Sequence, residues 1–267
     1  MGEGFTGSAM TFDWPAAGVA RATFTRAPEM NTLSLEFVAD LDRAITAATE
    51  GRARALILTG QGRAFCAGAH LTYFTDQASP LDSALAIRDR YLVPITRAFD
   101  RLEAAPFPVI AAINGFALGG GFELALHCDF RILATTARLG LTEVRVGAFP
   151  AAGGVQKLHR FVGRGKALEL ILLGRHVLAD EAENLGLAYA VVEPDALMDR
   201  TLALAADLAR GGRLAMAQAK ANVLLSETLD ARTARDLGLE SVTVLAATPE
   251  WSEGMQAFVE KRQPRFD

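Results

Sequence analysis

The chain has 267 residues, of which 51% are hydrophobic and 22% are charged, so it can bury one large core and is not broadly disordered. Its net charge is −4 and it carries no polybasic stretch, which argues against a nucleic-acid or anionic-membrane partner. The two cysteines cannot form a disulfide framework and predict a reducing, cytoplasmic compartment. The four histidines lack a metal-ligand spacing, so no metal site is predicted.

Residues 1–11 are rich in glycine and lack the basic and apolar regions of a signal peptide. We therefore expect a disordered lead-in before residue 12. No apolar stretch is long enough to span a bilayer, because even 109–126 is interrupted by Asn114, three glycines and Glu123. We accordingly expect no membrane partner.

Apolar strand-like runs alternate with helical patterns in the first part of the chain. Strands are predicted at 19–24, 55–59, 109–113 and 130–133, and helices at 33–49 and 81–104, the second of which Pro94 permits to break. Repeated strand–helix alternation indicates an α/β fold with crossover connections. After Pro194 the pattern is helical only, with helices predicted at 195–210, 213–225, 228–247 and 249–261.

Three consecutive glycines, Gly119–Gly121, lie between the strand at 109–113 and a short helix that they open. Glycine costs helix stability, so the triplet needs a specific reason. One reason is a ligand that approaches bare backbone N–H groups at a helix N-terminus, a place suited to an oxyanion. The other reason is tight packing between the strand and the helix, and the triplet alone does not decide between the two.

Two glutamates follow the triplet. Glu123 has apolar neighbours, and Glu143 lies further along the chain next to a possible partner, Arg145. Each has a plain structural interpretation: Glu123 could face solvent or complement the helix dipole, and Glu143 could form an ion pair. If both converge on one pocket, each perturbs the protonation of the other, which suits acid–base work on a water molecule.

A loop rich in small residues, Gly60–His70, follows the strand at 55–59. Such a loop lets a ligand lie against its backbone, and the Ala69 N–H could be a second oxyanion donor, although glycine-rich loops after strands are usually simple turns. No phosphate-binding motif competes, because Gly163-x-Gly165-Lys166 is followed by Ala167, and no GxSxG sequence occurs.

Taken together and in this order, these segments resemble the enoyl-CoA hydratase/isomerase (crotonase) superfamily. Residues 63–69 look like its first oxyanion loop, 113–123 like its second with the first catalytic glutamate, and 142–154 like the segment with the second glutamate. Further matches lie at 26–31, 174–175, 182–186 and 253–262. Each motif is weak alone, but their joint order and spacing are specific across almost the whole chain.

The resemblance implies a crotonase-like spiral of ββα units over residues 12–200 and a C-terminal α-helical trimerisation region over 201–267. It implies a homotrimer or homohexamer. It also implies that Ala69 and Gly120 supply the two N–H groups of an oxyanion hole and that Glu123 and Glu143 are a catalytic pair. The substrate is then an acyl-CoA, with coenzyme A as part of the thioester and no permanently bound cofactor.

By the same resemblance, coenzyme A lies along the loop at Cys66, Ala67 and Ala69. Lys261 matches a lysine that reaches the nucleotide from a neighbouring subunit. The alternative for Lys261 is a solvated charge on the last helix.

Four residues are expected near the acyl group: Gly120, His70, Leu71 and Phe122. His70 stands where the superfamily commonly has Asp, and it is either an exposed loop residue or a determinant of acyl choice. Phe122 is bulkier than the residue often found there, and it either narrows the acyl pocket or fills the core.

The complete glutamate pair favours an enoyl-CoA hydratase, which adds water across the double bond of a 2-enoyl-CoA. The sequence leaves open the acyl chain length and the pathway, such as fatty acid metabolism. The alternative activity is double-bond isomerisation or another crotonase-type reaction. Isomerases of the superfamily often need only the carboxylate that Glu143 matches, so the presence of Glu123 argues mildly against isomerisation. A non-catalytic or RNA-binding role is disfavoured, because lysines are few and scattered and the net charge is negative.

Overall fold

The predicted apolar runs form the centre of a seven-stranded sheet. In the computed structural model, which describes residues 2–76 and 79–266, the strands predicted at 19–24, 55–59, 109–113 and 130–133 are consecutive neighbours and pair in parallel. Near-continuous hydrophobic runs are typical of parallel strands that are covered on both faces. The prediction of an α/β fold is confirmed.

The secondary structure consists of short strands and helices of very different lengths. The strands are β1 (Phe5–Thr6), β2 (Met10–Ala16), β3 (Val19–Phe24), β4 (Ala55–Gly60), β5 (Ala64–Cys66), β6 (Val109–Ile113), β7 (Phe116–Leu118), β8 (Phe130–Ala134), β9 (Arg138–Gly140), β10 (Val177–Leu178) and β11 (Ala190–Val192). The helices are α1 (Leu35–Glu50), α2 (Thr72–Thr75), α3 (Ala84–Ile87), α4 (Val93–Glu103), α5 (Gly120–Leu126), α6 (Gly154–Leu173), α7 (Ala179–Asn184), α8 (Leu197–Ala209), α9 (Arg213–Ser226), α10 (Ala231–Ala246) and α11 (Pro249–Val259). A π-helical turn occupies Arg88–Leu92, and 3-10 turns occupy Ala27–Glu29, Glu143–Val146 and Pro194–Ala196.

The strands alternate between two sheets as the chain advances. The larger sheet has the order β1-β2-β3-β4-β6-β8-β11, and the smaller sheet has the order β10-β9-β7-β5. The pairs β4/β5, β6/β7 and β8/β9 each give one strand to each sheet, so the chain coils past both sheets repeatedly. Because β5 and β7 are parallel neighbours, the segments that follow them leave the smaller sheet side by side.

Alternate residues of the central strands face two different hydrophobic cores. In β4, Leu56 and Leu58 pack into the core that also contains residues of α1, α4 and α5. Ala55 and Ile57 point the other way, into a second core that α8 covers. The centre of the larger sheet is therefore buried on both faces, which explains why β4 shows no polar alternation in its sequence.

Two predicted helices differ in detail from the structure. Helix α1 begins at Leu35 because the Ser34 hydroxyl caps it, accepting a hydrogen bond from the Phe37 N–H at 3.1 Å. The segment predicted as one helix at 81–104 is divided into α3, a π-helical turn and α4. Pro94 lies in the first turn of α4, directly after the π-helical turn.

The four helices predicted after residue 194 are present as α8 to α11. Neither α9 nor α10 contains a fully buried residue. Their exposed large apolar residues are Val223, Leu225, Leu237, Leu239, Val242 and Val244. Within the described chain, no helix combines the length and apolar character needed to cross a membrane.

The expectation of a disordered lead-in over residues 1–11 is wrong for the part that the structure describes. Residues 5–6 form β1, which pairs antiparallel with β2, and the Ala9 and Met10 side chains are fully buried. The Ala9 N–H donates to the Asp40 carboxylate at 2.7 Å, which ties this segment to α1. The high glycine content of this segment suggests disorder, but its few apolar residues are enough to pack it against the core.

We expect Asp40→Ala to lower the free energy of unfolding by about 1–3 kcal/mol, because the buried Ala9 N–H loses its acceptor. The matched control is Asp42→Ala on the same helix. Asp42 forms an exposed ion pair with Arg101, and loss of such a pair costs less than about 1 kcal/mol. Urea denaturation of both variants tests this, and equal losses would contradict the anchoring role of Asp40.

Candidate active site

Two loops that follow neighbouring strands meet backbone to backbone. Gly68 follows β5 with φ +91°, and Gly119 follows β7 with φ +52°, values that favour glycine. A Cβ atom on Gly68 would lie only 2.6 Å from the Leu118 carbonyl oxygen and 3.2 Å from the Gly120 nitrogen. The glycines thus allow tight packing between the two loops, which is one interpretation of the triplet. They also leave backbone N–H groups without side-chain cover, which is what the ligand-binding interpretation requires.

The predicted oxyanion donors, Ala69 and Gly120, lie in these two loops. Neither backbone N–H donates a hydrogen bond to any residue that the structure describes. The Ala69 N–H belongs to the peptide group whose Gly68 carbonyl accepts from the Leu33 N–H at 2.8 Å, so the Ala69 N–H points away from Leu33. The Gly120 N–H is the first of helix α5 and lacks an intrahelical acceptor. Both N–H groups are therefore without an acceptor in the described part of the chain.

Glu123 lies in the first turn of α5 and is 3% exposed. Its Oε1 accepts a hydrogen bond from the Gly154 N–H, the first residue of α6, at 2.8 Å. Its Oε2 lies 3.9 Å from the position that a Cβ atom on Gly120 would occupy. The solvent-facing alternative for Glu123 is thereby excluded.

Burial raises the pKa of Glu123 to about 7. The bond from Gly154 opposes this rise because it stabilises the ionised form, whereas the charge of Glu143 adds to it. A carboxyl group with such a pKa can hold or release a proton near neutral pH.

Glu143 approaches the same turn from a third segment. It opens the 3-10 turn Glu143–Val146, and its Oε1 lies 3.2 Å from the position of a Cβ atom on Gly119. Both carboxylate oxygens are buried without a hydrogen-bond partner among the described residues, and burial raises the pKa of Glu143. Arg145 is exposed, and among the described residues no ion pair joins it to Glu143. The ion-pair alternative for Glu143 is therefore not observed.

The structure thus brings Ala69, Gly120, Glu123 and Glu143 together around one turn, Gly119–Gly120. Two buried carboxyl groups at one place repel each other when both are ionised, and the pair therefore favours holding one proton. Two backbone donors and a carboxyl pair that shares a proton form a site able to stabilise an oxyanion and transfer protons next to it.

The residues predicted to contact coenzyme A are placed less uniformly. Cys66 is fully buried, burial raises the pKa of its thiol to about 12, and a Cβ atom on Gly121 would collide with its carbonyl. Ala67 is partly exposed. Lys261 follows α11 on the surface, and among described residues no hydrogen bond or ion pair joins it to the loop at 66–70. The chain by itself does not bring Lys261 into the site.

The residues expected near the acyl group also fall into different environments. The His70 Nδ1 lies 2.8 Å from the Thr32 hydroxyl, and its ring lies 4.6 Å from the ring of Tyr73. Leu71 is 56% exposed. Phe122 is 1% exposed and belongs to the main hydrophobic core, which fits the core-filling alternative and gives its side chain no open surface.

Two residues of the site escape prediction from the sequence. The first is Gly154, whose N–H binds the Glu123 carboxylate. The only sequence signal for this contact is that Gly154 follows Gly153 and precedes a helix, because a helix N-terminus can bind a carboxylate. Tyr91 contacts the oxyanion loop from the π-helical turn, and nothing in the local sequence predicts this contact.

One group of described residues, Asp100, Glu103 and His127, has potential metal-ligand atoms within 4.8 Å of one another. The Lys157 ammonium already forms an ion pair with Glu103, and the His127 Nδ1 donates to the Glu123 carbonyl at 2.8 Å. Glu103 and His127 therefore already have polar partners in the fold.

Comparison with known proteins identifies the family of the chain. Residues 15–267 match the sequence model of the family described as "Enoyl-CoA hydratase/isomerase". The crotonyl-CoA hydratase of Syntrophomonas wolfei is 37% identical over 90% of this chain and 91% of that protein. The 2,3-dehydroadipyl-CoA hydratase of Escherichia coli is 36% identical over 88% of each protein.

The crystal structure of an enoyl-CoA hydratase from Bacillus anthracis is also similar, with a TM-score of 0.91 and 37% identity. The match covers 97% of this chain and 99% of that one. The architecture of two mixed sheets followed by helices is that of the crotonase fold, as predicted. The chain belongs to the enoyl-CoA hydratase/isomerase family.

The raised pKa of Glu123 predicts a pH-dependent cost to folding. The folded state prefers the protonated carboxyl group, so stability is retained below the ordinary pKa of 4.5 and is lost as the pH rises through about 7. Glu123→Gln removes this cost. We expect the variant to gain about 3 kcal/mol relative to the parent between pH 4.5 and about 7, at 1.36 kcal/mol per pKa unit.

Urea denaturation of both proteins across this pH range measures the difference. A difference that stays constant with pH would mean that Glu123 is ionised in the folded protein with an ordinary pKa. Acidic residues that do not interact with Glu123 contribute equally to both proteins, so their effects cancel in the difference, whereas Glu143 titrates together with Glu123 in the parent.

Proposed function

We propose that the protein is an enoyl-CoA hydratase, which adds water across the double bond of a 2-enoyl-CoA. The observation that carries the proposal is the convergence of Glu123 and Glu143 on the turn that bears the Gly120 N–H. A hydration needs a base for water, an acid for the α-carbon and a stabiliser for the charge that develops on the thioester oxygen. The site offers one group or pair of groups for each task.

The thioester carbonyl is proposed to bind between the Ala69 and Gly120 N–H groups. When water adds to the β-carbon, the electron pair of the double bond moves toward the α-carbon and the carbonyl oxygen gains negative charge. Two fixed N–H donors at that oxygen stabilise the enolate-like state more than the uncharged thioester, which lowers the barrier. The positive end of the short helix α5 acts in the same direction.

The water molecule is proposed to bind between the two glutamates. The ionised carboxylate accepts a proton from water as its oxygen bonds to the β-carbon, and the protonated one delivers a proton to the α-carbon. The pair carries one proton before and after the reaction, so atoms and charge balance. A strongly coupled pair does not need separable roles, and we assign neither glutamate to one task.

The substrate class follows from the family, whose members act on acyl-CoA compounds. We propose contact between coenzyme A and the loop backbone at Ala67 and Ala69, and between its nucleotide and Lys261 of a neighbouring copy. The exposure of Lys261 and its distance in the chain from the loop are compatible with a contact across subunits. The name of one relative, crotonyl-CoA hydratase, supports a short acyl chain as the first substrate to test.

We also propose that the C-terminal helices join three copies, or two sets of three. Helices α9 and α10 lack fully buried residues yet expose several large apolar side chains, and such surface favours burial in an interface. Sedimentation velocity is expected to give a particle of three or six chains. A single chain at micromolar concentration would contradict the assembly.

We expect Glu123→Gln and Glu143→Gln each to lower kcat for crotonyl-CoA hydration by roughly a hundredfold to ten-thousandfold, the range for loss of a general acid or base. Loss of the conjugated thioester absorbance measures the rate. The matched control is Glu183→Gln, which makes the same chemical change at an exposed residue of α7 and is expected to leave kcat unchanged.

The product distinguishes hydration from the alternative activity. Hydration adds the mass of one water to the acyl group, whereas double-bond isomerisation leaves the mass unchanged. A parent enzyme that hydrates no enoyl-CoA but isomerises one would replace the hydratase proposal, and in that case Glu143→Gln alone would be expected to abolish turnover.

A further inference from the structure

The Tyr91 side chain contacts the loop that carries Ala69 through its hydroxyl group. It is 1% exposed, and its hydroxyl accepts a hydrogen bond from the His70 N–H at 3.1 Å and donates one to the Leu33 carbonyl at 2.7 Å. A tyrosine hydroxyl has one proton to donate and lone pairs to accept, so both of these contacts can form together. The hydroxyl therefore joins two backbone segments.

These contacts fix the peptide groups on both sides of Ala69. The Ala69 N–H shares a plane with the Gly68 carbonyl, which accepts from the Leu33 N–H at 2.8 Å. The His70 N–H shares a plane with the Ala69 carbonyl, and this second plane is held by Tyr91. Rotation at the Ala69 α-carbon would have to break one of these bonds. The direction of the Ala69 N–H is thus determined by Leu33 on one side and by Tyr91 on the other.

Tyr91 itself is firmly held. It lies in the π-helical turn Arg88–Leu92, just before α4, and π-turns often occur at functional positions. Its ring makes edge-on contacts with the rings of Tyr73 at 5.9 Å and Phe74 at 5.5 Å. Burial also raises the pKa of its phenol, which keeps the hydroxyl neutral and able to donate.

We propose that Tyr91 is a positioning residue that aims the Ala69 N–H at the thioester oxygen through its hydrogen bonds to His70 and Leu33. This inference rests on the proposed function, because it assumes an oxyanion hole at Ala69 and Gly120. Tyr91 does not touch the reacting atoms. Its effect is to hold one donor in the geometry that the charged transition state needs and that the ground-state thioester needs less.

The direct test is the infrared stretching frequency of a bound thioester carbonyl. Butyryl-CoA labelled with ¹³C at this carbon is saturated at the α- and β-carbons and therefore has no double bond to hydrate. Hydrogen bonds to the carbonyl oxygen lower its frequency. In the parent protein we expect a lower frequency than in water, and in Tyr91→Phe we expect most of this lowering to be lost.

Turnover provides a second readout. We expect kcat for crotonyl-CoA to fall roughly tenfold in Tyr91→Phe, part of the hundred- to thousandfold cost of losing a whole oxyanion donor. KM is expected to stay within roughly twofold, because the displaced contact acts mainly in the transition state. A purely structural defect would lower the active fraction without changing the carbonyl frequency of the bound ligand.

Tyr73→Phe is the matched control. It removes the same atom from a neighbouring ring, but the Tyr73 hydroxyl contacts the Leu35 N–H rather than the oxyanion loop. We expect it to keep the parent carbonyl frequency and kcat. If Tyr91→Phe does not fold, Phe74→Leu keeps the Tyr91 hydroxyl while loosening its ring, and it is expected to move the frequency part of the way in the same direction.

The possible failures are separable. If the parent itself shows no lowered frequency, the oxyanion hole and the proposed function fail, and the role of Tyr91 fails with them. If the parent shows a lowered carbonyl frequency and Tyr91→Phe shows the same lowering, only the positioning role of Tyr91 is overturned. An equal loss in Tyr73→Phe would also overturn that role, because the effect would then belong to any buried hydroxyl in this region.

Discussion

The site depends on the close approach of two backbones, at Gly68 after β5 and at Gly119–Gly120 after β7. These strands are parallel neighbours in the smaller sheet, so their carboxyl ends deliver both loops to the same edge. Any side chain at Gly68 would strike the Leu118 carbonyl, and one at Gly121 would strike the Cys66 carbonyl. The glycines therefore set how near Ala69 and Gly120 can come, and this spacing determines whether their N–H groups can share one oxygen atom.

The position of the Glu123 carboxyl group depends on a different feature, the N-terminus of helix α6. Glu123 accepts from the Gly154 N–H at the beginning of α6, and this contact lowers its pKa while burial and Glu143 raise it. A carboxyl group in the same apolar pocket without Gly154 would be more strongly protonated and less able to act as a base. A fully solvated one would stay ionised and could not donate. The opposition of these effects brings Glu123 near pKa 7, where both protonation states are populated.

The sequence predicts the parts of this arrangement that have a local signature. Buried strands, the glycine triplet and the glutamates are visible because their residue types stand out from their neighbours. Two features lack such a signature. The lead-in around Ala9 and Met10 is ordered through contacts with residues far along the chain, and the role of Tyr91 depends on a hydroxyl that meets Leu33 and His70 only after folding. Phe122 is ambiguous for the same reason, since only packing reveals that it fills the core.

Rigidity and open polar groups have to coexist in this site. The Ala69 N–H and the Glu143 oxygens are left without partners in the described chain, and for the buried Glu143 oxygens this is energetically costly. Hydrogen bonds immediately around these groups offset the cost. They join Leu33 to Gly68, Tyr91 to His70, and Gly154 to Glu123. The first two bonds hold the peptide groups on either side of Ala69, and the third holds the Glu123 carboxylate beside Glu143. These bonds hold the loops so that the free donors and acceptors do not turn toward each other, which is the arrangement that the proposed binding of a substrate and a water molecule requires.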